Sequence, residues 1–217
     1  MEEGYFYHIY NRGIEKKDIF SDSNDYRRFL LLLNILNDNK PISVKDFLRK
    51  IPVRGPVPEI ENRQNIVDIG AYCLMPNHFH LLIKEKVEGG ITSFLRKLST
   101  GYTMYFNKKY ERVGPLLQGT FKAEHANSDE YLKYLFSYIH LNPIKIIDES
   151  WKNTVLKKID LIRNFLKEYQ YSSYLDYLEP LKFKSKILNK EAFPEYFSSG
   201  KDFDKTIFEW LNYSNSN

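Results

Sequence analysis

Cysteine is almost missing from this 217-residue chain, which has one, Cys73. A single thiol excludes a disulfide framework and a cysteine-based zinc site, so any metal has to be held by imidazole, carboxylate or amide groups. A reducing, intracellular setting is expected. Long apolar runs are missing too: nothing approaches the ~18 uninterrupted apolar residues that a membrane span needs. The acidic start, Met1-Glu2-Glu3-Gly4-Tyr5, lacks the basic-then-apolar order of a signal peptide, and the expected location is the cytoplasm. There is no internal repeat. With 42% hydrophobic and 28% charged residues the balance is that of a globular chain, long enough to bury a core without covalent staples.

What is abundant is aromatic and locally basic. Tyr (17), Phe (15) and Trp (2) make up 16% of the chain, and the net charge is +4. Lys84 to His125 holds eight Lys or Arg (84, 86, 96, 97, 108, 109, 112, 122) against four Glu (85, 88, 111, 124), which accounts for the whole excess. Cations interleaved with Tyr102, Tyr105, Phe106, Tyr110 and Phe121 suit a nucleic-acid surface, cations for phosphates and rings for unstacked bases. They suit equally a solvated helix with a packed aromatic face.

Periodicity orders the elements. Tyr5 to Tyr10 reads as a strand ending at Asn11-Arg12-Gly13, and Asp25 to Leu36 as a helix with Ser23 or Asn24 as N-cap. Between residues 40 and 65 four of the nine prolines gather, which predicts an insertion or flexible loop. Ile66 to Leu74 and His78 to Ile83 form a hairpin around Met75-Pro76-Asn77. Ile91 to about Lys109 repeats apolar residues by threes and fours, a long amphipathic helix. Leu116 to Ala126 has room for a further strand, and Ser128-Asp129-Glu130 starts a helix that Pro143 stops. The order β, α, β, β, α, β, α predicts an α+β, ferredoxin-like antiparallel sheet with helices on one face. Two units are expected: a catalytic domain over 1–148, carrying the Pro-rich insertion 40–65, and a helical C-terminal extension over 149–217.

Two constellations bear on chemistry. His78 and His80 alternate on a strand, so both project to one face with Cα atoms roughly 6.5 Å apart while Phe79, Leu81 and Ile83 take the other. Such a pair is able to chelate a divalent cation, or is simply two half-exposed histidines. Tyr131, Tyr134, Tyr138 and Asn142 share a helical face. A phenol nucleophile with an amide oxygen one turn on as third ligand is what metal-assisted transesterification needs beside two imidazoles. A tyrosine stripe packed on the sheet, with Asn142 capping the helix, would leave the same spacing.

The runs AYCLMPNHFHLLIK (71–84), YFNKKYERVGPLLQGTFKAE (105–124), YLKYLFSYIHLNPIK (131–145) and YSSYLDY (171–177) resemble the single-tyrosine HUH transposases of the insertion-sequence IS200-like kind, and within them the branch associated with repetitive extragenic palindromes. The resemblance spans roughly residues 5 to 178 in the family's order. It implies that His78, His80 and Asn142 bind Mg²⁺ or Mn²⁺ and that Tyr138 is the nucleophile. The implied partner is single-stranded, hairpin-bearing or palindromic DNA, cut through a 5′-phosphotyrosine link with a free 3′-OH and later rejoined by a monomer or homodimer. Arg96, Lys97, Lys108, Lys109, Arg112 and Lys122 are the expected DNA contacts. A domesticated single-strand-binding module without transposition, or an unrelated metal hydrolase, are the competing readings. Thr120 stands where a basic residue is expected, and Ile144-Lys145-Ile146-Ile147 follows Pro143 in place of a small, glycine-containing turn.

Overall fold

The computed structural model describes residues 1–50, 63–147, 159–180 and 186–213. Four strands, β1 (Phe6–Arg12), β2 (Val67–Met75), β3 (His78–Glu85) and β4 (Lys122–His125), form one antiparallel sheet in the order β2-β3-β1-β4. That is the ferredoxin-like order expected from the element sequence. Two helices, α1 (Ser23–Ile35) and α3 (Gly90–Lys109), pack together on one face.

The strands alternate side chains between two cores. Ile9, Phe79, Leu81 and Ile83 point toward α1 and α3, joining Phe29, Leu33, Phe94, Leu98 and Tyr102 in the first core. Leu82, Ala71, Cys73 and Met75 belong to the second, which includes Leu135, Phe136 and Ile139 of α4 (Asp129–Leu141). The expectation of helices on one face therefore holds for α1 and α3 only. The other face is covered by α4 together with α6 (Ile159–Glu168), α7 (Tyr174–Leu178) and α8 (Gly200–Tyr213), which supply Ile162, Leu166, Tyr174, Phe203 and Ile207 to the same core. The C-terminal elements were too irregular in sequence to assign to a face; their apolar residues find the one sheet surface that α1 and α3 leave open.

Local chemistry places the boundaries. The N-cap of α1 is Asp22, one residue ahead of Ser23 and two ahead of Asn24, the expected caps. Its carboxylate accepts from the backbone N–H of Asn24 and Asp25, and the Asp25 carboxylate accepts in return from the Asp22 N–H, a reciprocal cap. Ser128 caps α4 as expected, accepting from the Tyr131 N–H at 3.1 Å. Within the proline-rich stretch α2 (Val44–Lys50) forms a short helix; residues 51–62 of that stretch lie outside the described residues. After Pro143 a single further turn, α5 (Ile144–Ile147), continues in place of a loop.

The sheet register shifts between Ile69 and Ala71, at Gly70. A Cβ at Gly70 would stand 2.7 Å from the Phe193 ring, so only glycine lets that ring close against the strand. Buried Ser173 fastens the C-terminal part to the sheet: its hydroxyl accepts the Tyr72 N–H at 2.9 Å and meets His140 Nε2 at 2.8 Å. Among the described residues no helix is long and apolar enough to cross a membrane.

Candidate active site

The register of the central strands assembles the site. In β1 and β3, Tyr10 stands opposite His80 and Arg12 opposite His78; in β1 and β4, His8 stands opposite Glu124 and Tyr10 opposite Lys122. Directly paired residues share a face, so these side chains gather on the α4 side of the sheet. There Tyr10, Arg12, His78, His80 and Lys122 line an open cavity of about 510 Å³ with Tyr138, Lys145, Lys16 and Asn77.

His78 and His80 come together as their spacing predicts, with ring centroids 5.0 Å apart and planes nearly perpendicular. Each has one ring nitrogen engaged: His78 Nδ1 lies 2.6 Å from Asn77 Oδ1, and His80 Nδ1 lies 2.9 Å from Nε2 of His8. Burial holds both imidazoles neutral at pH 7. His78 is pushed down to about 4, with Lys145 and Arg12 adding repulsion, and His80 well below the usual histidine value, with His78 and His8 adding to burial. Neutral rings keep the lone pairs that a cation requires.

Of the tyrosine stripe on α4, only Tyr138 faces the histidines. Its ring meets His80 at 5.5 Å and His8 at 5.6 Å, both edge-on, and Lys145 Nζ lies 5.2 Å from its centroid. Tyr131 turns to Glu124, donating to Oε2 at 3.2 Å, and Tyr134 packs on Trp210 at 4.7 Å. Burial raises the Tyr138 pKa, with the Asn142 side chain lowering it in part. The group is a phenol at neutral pH, so attack through its oxygen requires positive charge beside it.

The donor set suits a divalent ion in part. His78 and His80 offer Nε2 atoms with no hydrogen-bond partner among the described residues. Asn142 is buried and lies outside the cavity lining: its Nδ2 donates to the Tyr138 carbonyl at 2.9 Å and its Oδ1 accepts from Lys145 Nζ at 2.8 Å. Lys145 therefore occupies one of the two lone pairs of the oxygen that Asn142 would offer a metal. Among the described residues there is no cluster of three or more His, Cys, Asp or Glu fit to hold a metal.

Of the six expected DNA contacts, Lys122 alone reaches the cavity. Arg96, Lys97, Lys108 and Lys109 ride on α3, across the sheet from the histidines, with Arg112 just beyond it. Lys97 donates to the Asp38 carbonyl at 2.6 Å, Lys109 to Asp22 and Asp25 at 2.7 Å each, and Arg112 to Asn107 at 3.3 Å. The cations at the cavity are Arg12, Lys16, Lys122 and Lys145.

Residues 53–142 match the family model described as "Transposase IS200 like". Among solved structures, a REP-associated tyrosine transposase bound to a REP hairpin has the same fold, with a TM-score of 0.51 and 11% identity; the match covers 91% of this chain and 95% of that one. No curated protein matches the chain.

Proposed function

We propose that the chain bearing this IS200-like transposase domain is a metal-dependent enzyme that cuts and rejoins single-stranded, hairpin-bearing DNA, with Tyr138 as the nucleophile. The observation that carries this reading is the edge-on placement of Tyr138 against His80 and His8 inside one cation-lined cavity, while Tyr131 and Tyr134 are held elsewhere. The neighbour of similar fold is bound to a hairpin, which favours a hairpin substrate here.

The Tyr138 oxygen attacks a backbone phosphorus in line. The new Tyr–O–P bond forms as the P–O3′ bond breaks, the phenolic proton is released, and the 3′ oxygen leaves as a hydroxyl once protonated. The product is a 5′-phosphotyrosine, and attack by a 3′-OH reverses the step. Mg²⁺ or Mn²⁺ held by His78 and His80, with the Asn142 side-chain oxygen as third ligand, would supply the charge that polarises the phosphate. Arg12, Lys16 and Lys122 position the strand by its phosphates, and Lys145 over the Tyr138 ring is the cation nearest the nucleophile. Histidines and tyrosine come from one chain, so a monomer suffices, and residues 1–148 are read as the catalytic unit with the C-terminal helices as its buttress.

Incubation with labelled hairpin oligonucleotides and Mn²⁺ should give an SDS-resistant protein–DNA band. Tyr138→Phe should remove it, and Tyr134→Phe should keep it. Hairpin binding without any band from the wild type would replace this reading with a nucleic-acid-binding module.

A further inference from the structure

Each cavity histidine is tied by Nδ1 to a neighbour whose own hydrogen bonds fix which way the proton points. Asn77 comes directly before His78. Its Nδ2 donates to the Lys16 carbonyl at 3.1 Å, and a carbonyl only accepts, so the amide is oriented with Oδ1 toward His78. That oxygen also only accepts. The proton in the 2.6 Å contact must therefore sit on His78 Nδ1, leaving Nε2 bare.

Lys16 is presented for this bond by an unusual turn. Glu15 and Lys16 both take left-handed backbone angles, at φ 55° and 62°, which non-glycine residues adopt only when held.

The second chain of contacts runs along the sheet. His8 Nδ1 lies 3.8 Å from Glu124 Oε2, and that carboxylate is fixed by the Tyr10 hydroxyl on Oε1 at 2.7 Å and the Tyr131 hydroxyl on Oε2 at 3.2 Å. A carboxylate beside Nδ1 favours the proton on that nitrogen, which makes His8 Nε2 the acceptor of the 2.9 Å contact with His80. The proton there belongs to His80 Nδ1, and again Nε2 is bare.

We infer that Asn77 and His8 are positioning residues that preset both histidines as Nδ1–H tautomers, so that two Nε2 lone pairs are ready before any ion arrives. The use of those lone pairs rests on the metal reading above. The tautomers do not. Imidazoles that ligate metals are commonly held in this way by an acceptor on their far nitrogen, and loss of the acceptor typically weakens binding roughly 10–100-fold. His8 was invisible as a participant in the sequence because only the β1–β3 register brings it to His80.

Long-range ¹H–¹⁵N correlation spectra of the metal-free wild type at neutral pH should show His78 and His80 protonated on Nδ1 and bare on Nε2. A proton on Nε2 of either ring overturns the inference without any mutation. For variants, His8→Ala should mix the His80 tautomers, Asn77→Ala those of His78, and each should weaken Mn²⁺ binding by calorimetry roughly 10–100-fold. His8→Gln, which keeps an acceptor in reach of His80, should restore most of the affinity. Alanine variants with wild-type tautomers and wild-type Mn²⁺ affinity would also overturn it. A wild type with the expected tautomers that takes up no Mn²⁺ would uphold the preset rings and strike down the metal reading alone.

Discussion

The two faces of β3 receive alternate residues of one short strand and use them in opposite ways. Phe79, Leu81 and Ile83 enter a core of rings and aliphatic chains around α1 and α3. His78 and His80, interleaved with them, enter the other face at the edge of the apolar core that Leu82 shares with α4, where the side chains of the site are polar and tied: to Asn77, to His8, and through His8 to Glu124. The first face can be repaired by any apolar group of the right volume. On the second, each group fixes the orientation of the next, so a single deletion leaves a buried partner without its bond.

The largest effect should come from the packed face. Phe79 is fully buried, 5.1 Å from the Phe29 ring, and Phe79→Ala should cost about 3–5 kcal/mol in urea unfolding. His78→Ala, on a partly exposed residue next door, should cost under about 1 kcal/mol while abolishing metal-dependent cleavage. Equal losses of stability in the two variants would erase the distinction between the faces.

Acid should attack the second face selectively. His140 on α4 is wholly buried, with Nδ1 donating to the Phe136 carbonyl at 2.7 Å and Nε2 against Ser173. Burial, with Lys190 adding repulsion, lowers it to about 4, below its unfolded value. The unfolded chain thus binds the proton more tightly, so this contribution is whole above pH ~6.5 and is lost as pH falls toward 4. The loss should be on the order of 3 kcal/mol for this residue, seen as a drop in the urea midpoint that His140→Gln reduces. His8, also brought down to about 4 by burial against a weaker pull upward from Glu124, loses stability over the same window. A stability flat from pH 7 to 4.5 would contradict both assignments.

The smallest effect separates two sets of cations. Arg12→Ala with Lys122→Ala, at the cavity, should lower the slope of log K against log salt for single-stranded DNA by about 1 per lost phosphate contact. Arg96→Ala with Lys108→Ala, on the α3 layer, should change it less. The reverse order would move the DNA path to the α1–α3 face.

Much of this was legible in the sequence because it is local. The alternation HFHLLI separates the two faces of β3, the three-and-four spacing from Ile91 marks α3, and MPNHFH with YIHLNP points to the histidines and Tyr138. What stayed hidden depends on register between distant segments. His8 and Glu124 are 116 positions apart and meet through β1–β4 pairing. The placement of the basic window was hidden for a related reason: charge along the chain does not say which layer its residues join, and Lys97 and Lys109 bond within the protein on the α3 layer. The second helical layer was hidden because apolar periodicity in the C-terminal segments does not say which sheet surface they cover.

Chemistry on this face should pass through one phenol. The direct measurement is mass-spectrometric mapping of the peptide that carries a nucleotide after reaction with a hairpin oligonucleotide and Mn²⁺. A single modified residue, Tyr138, is expected. A nucleotide on Tyr131, Tyr134 or Tyr10, or cleaved DNA with no nucleotide-bearing peptide, would contradict it.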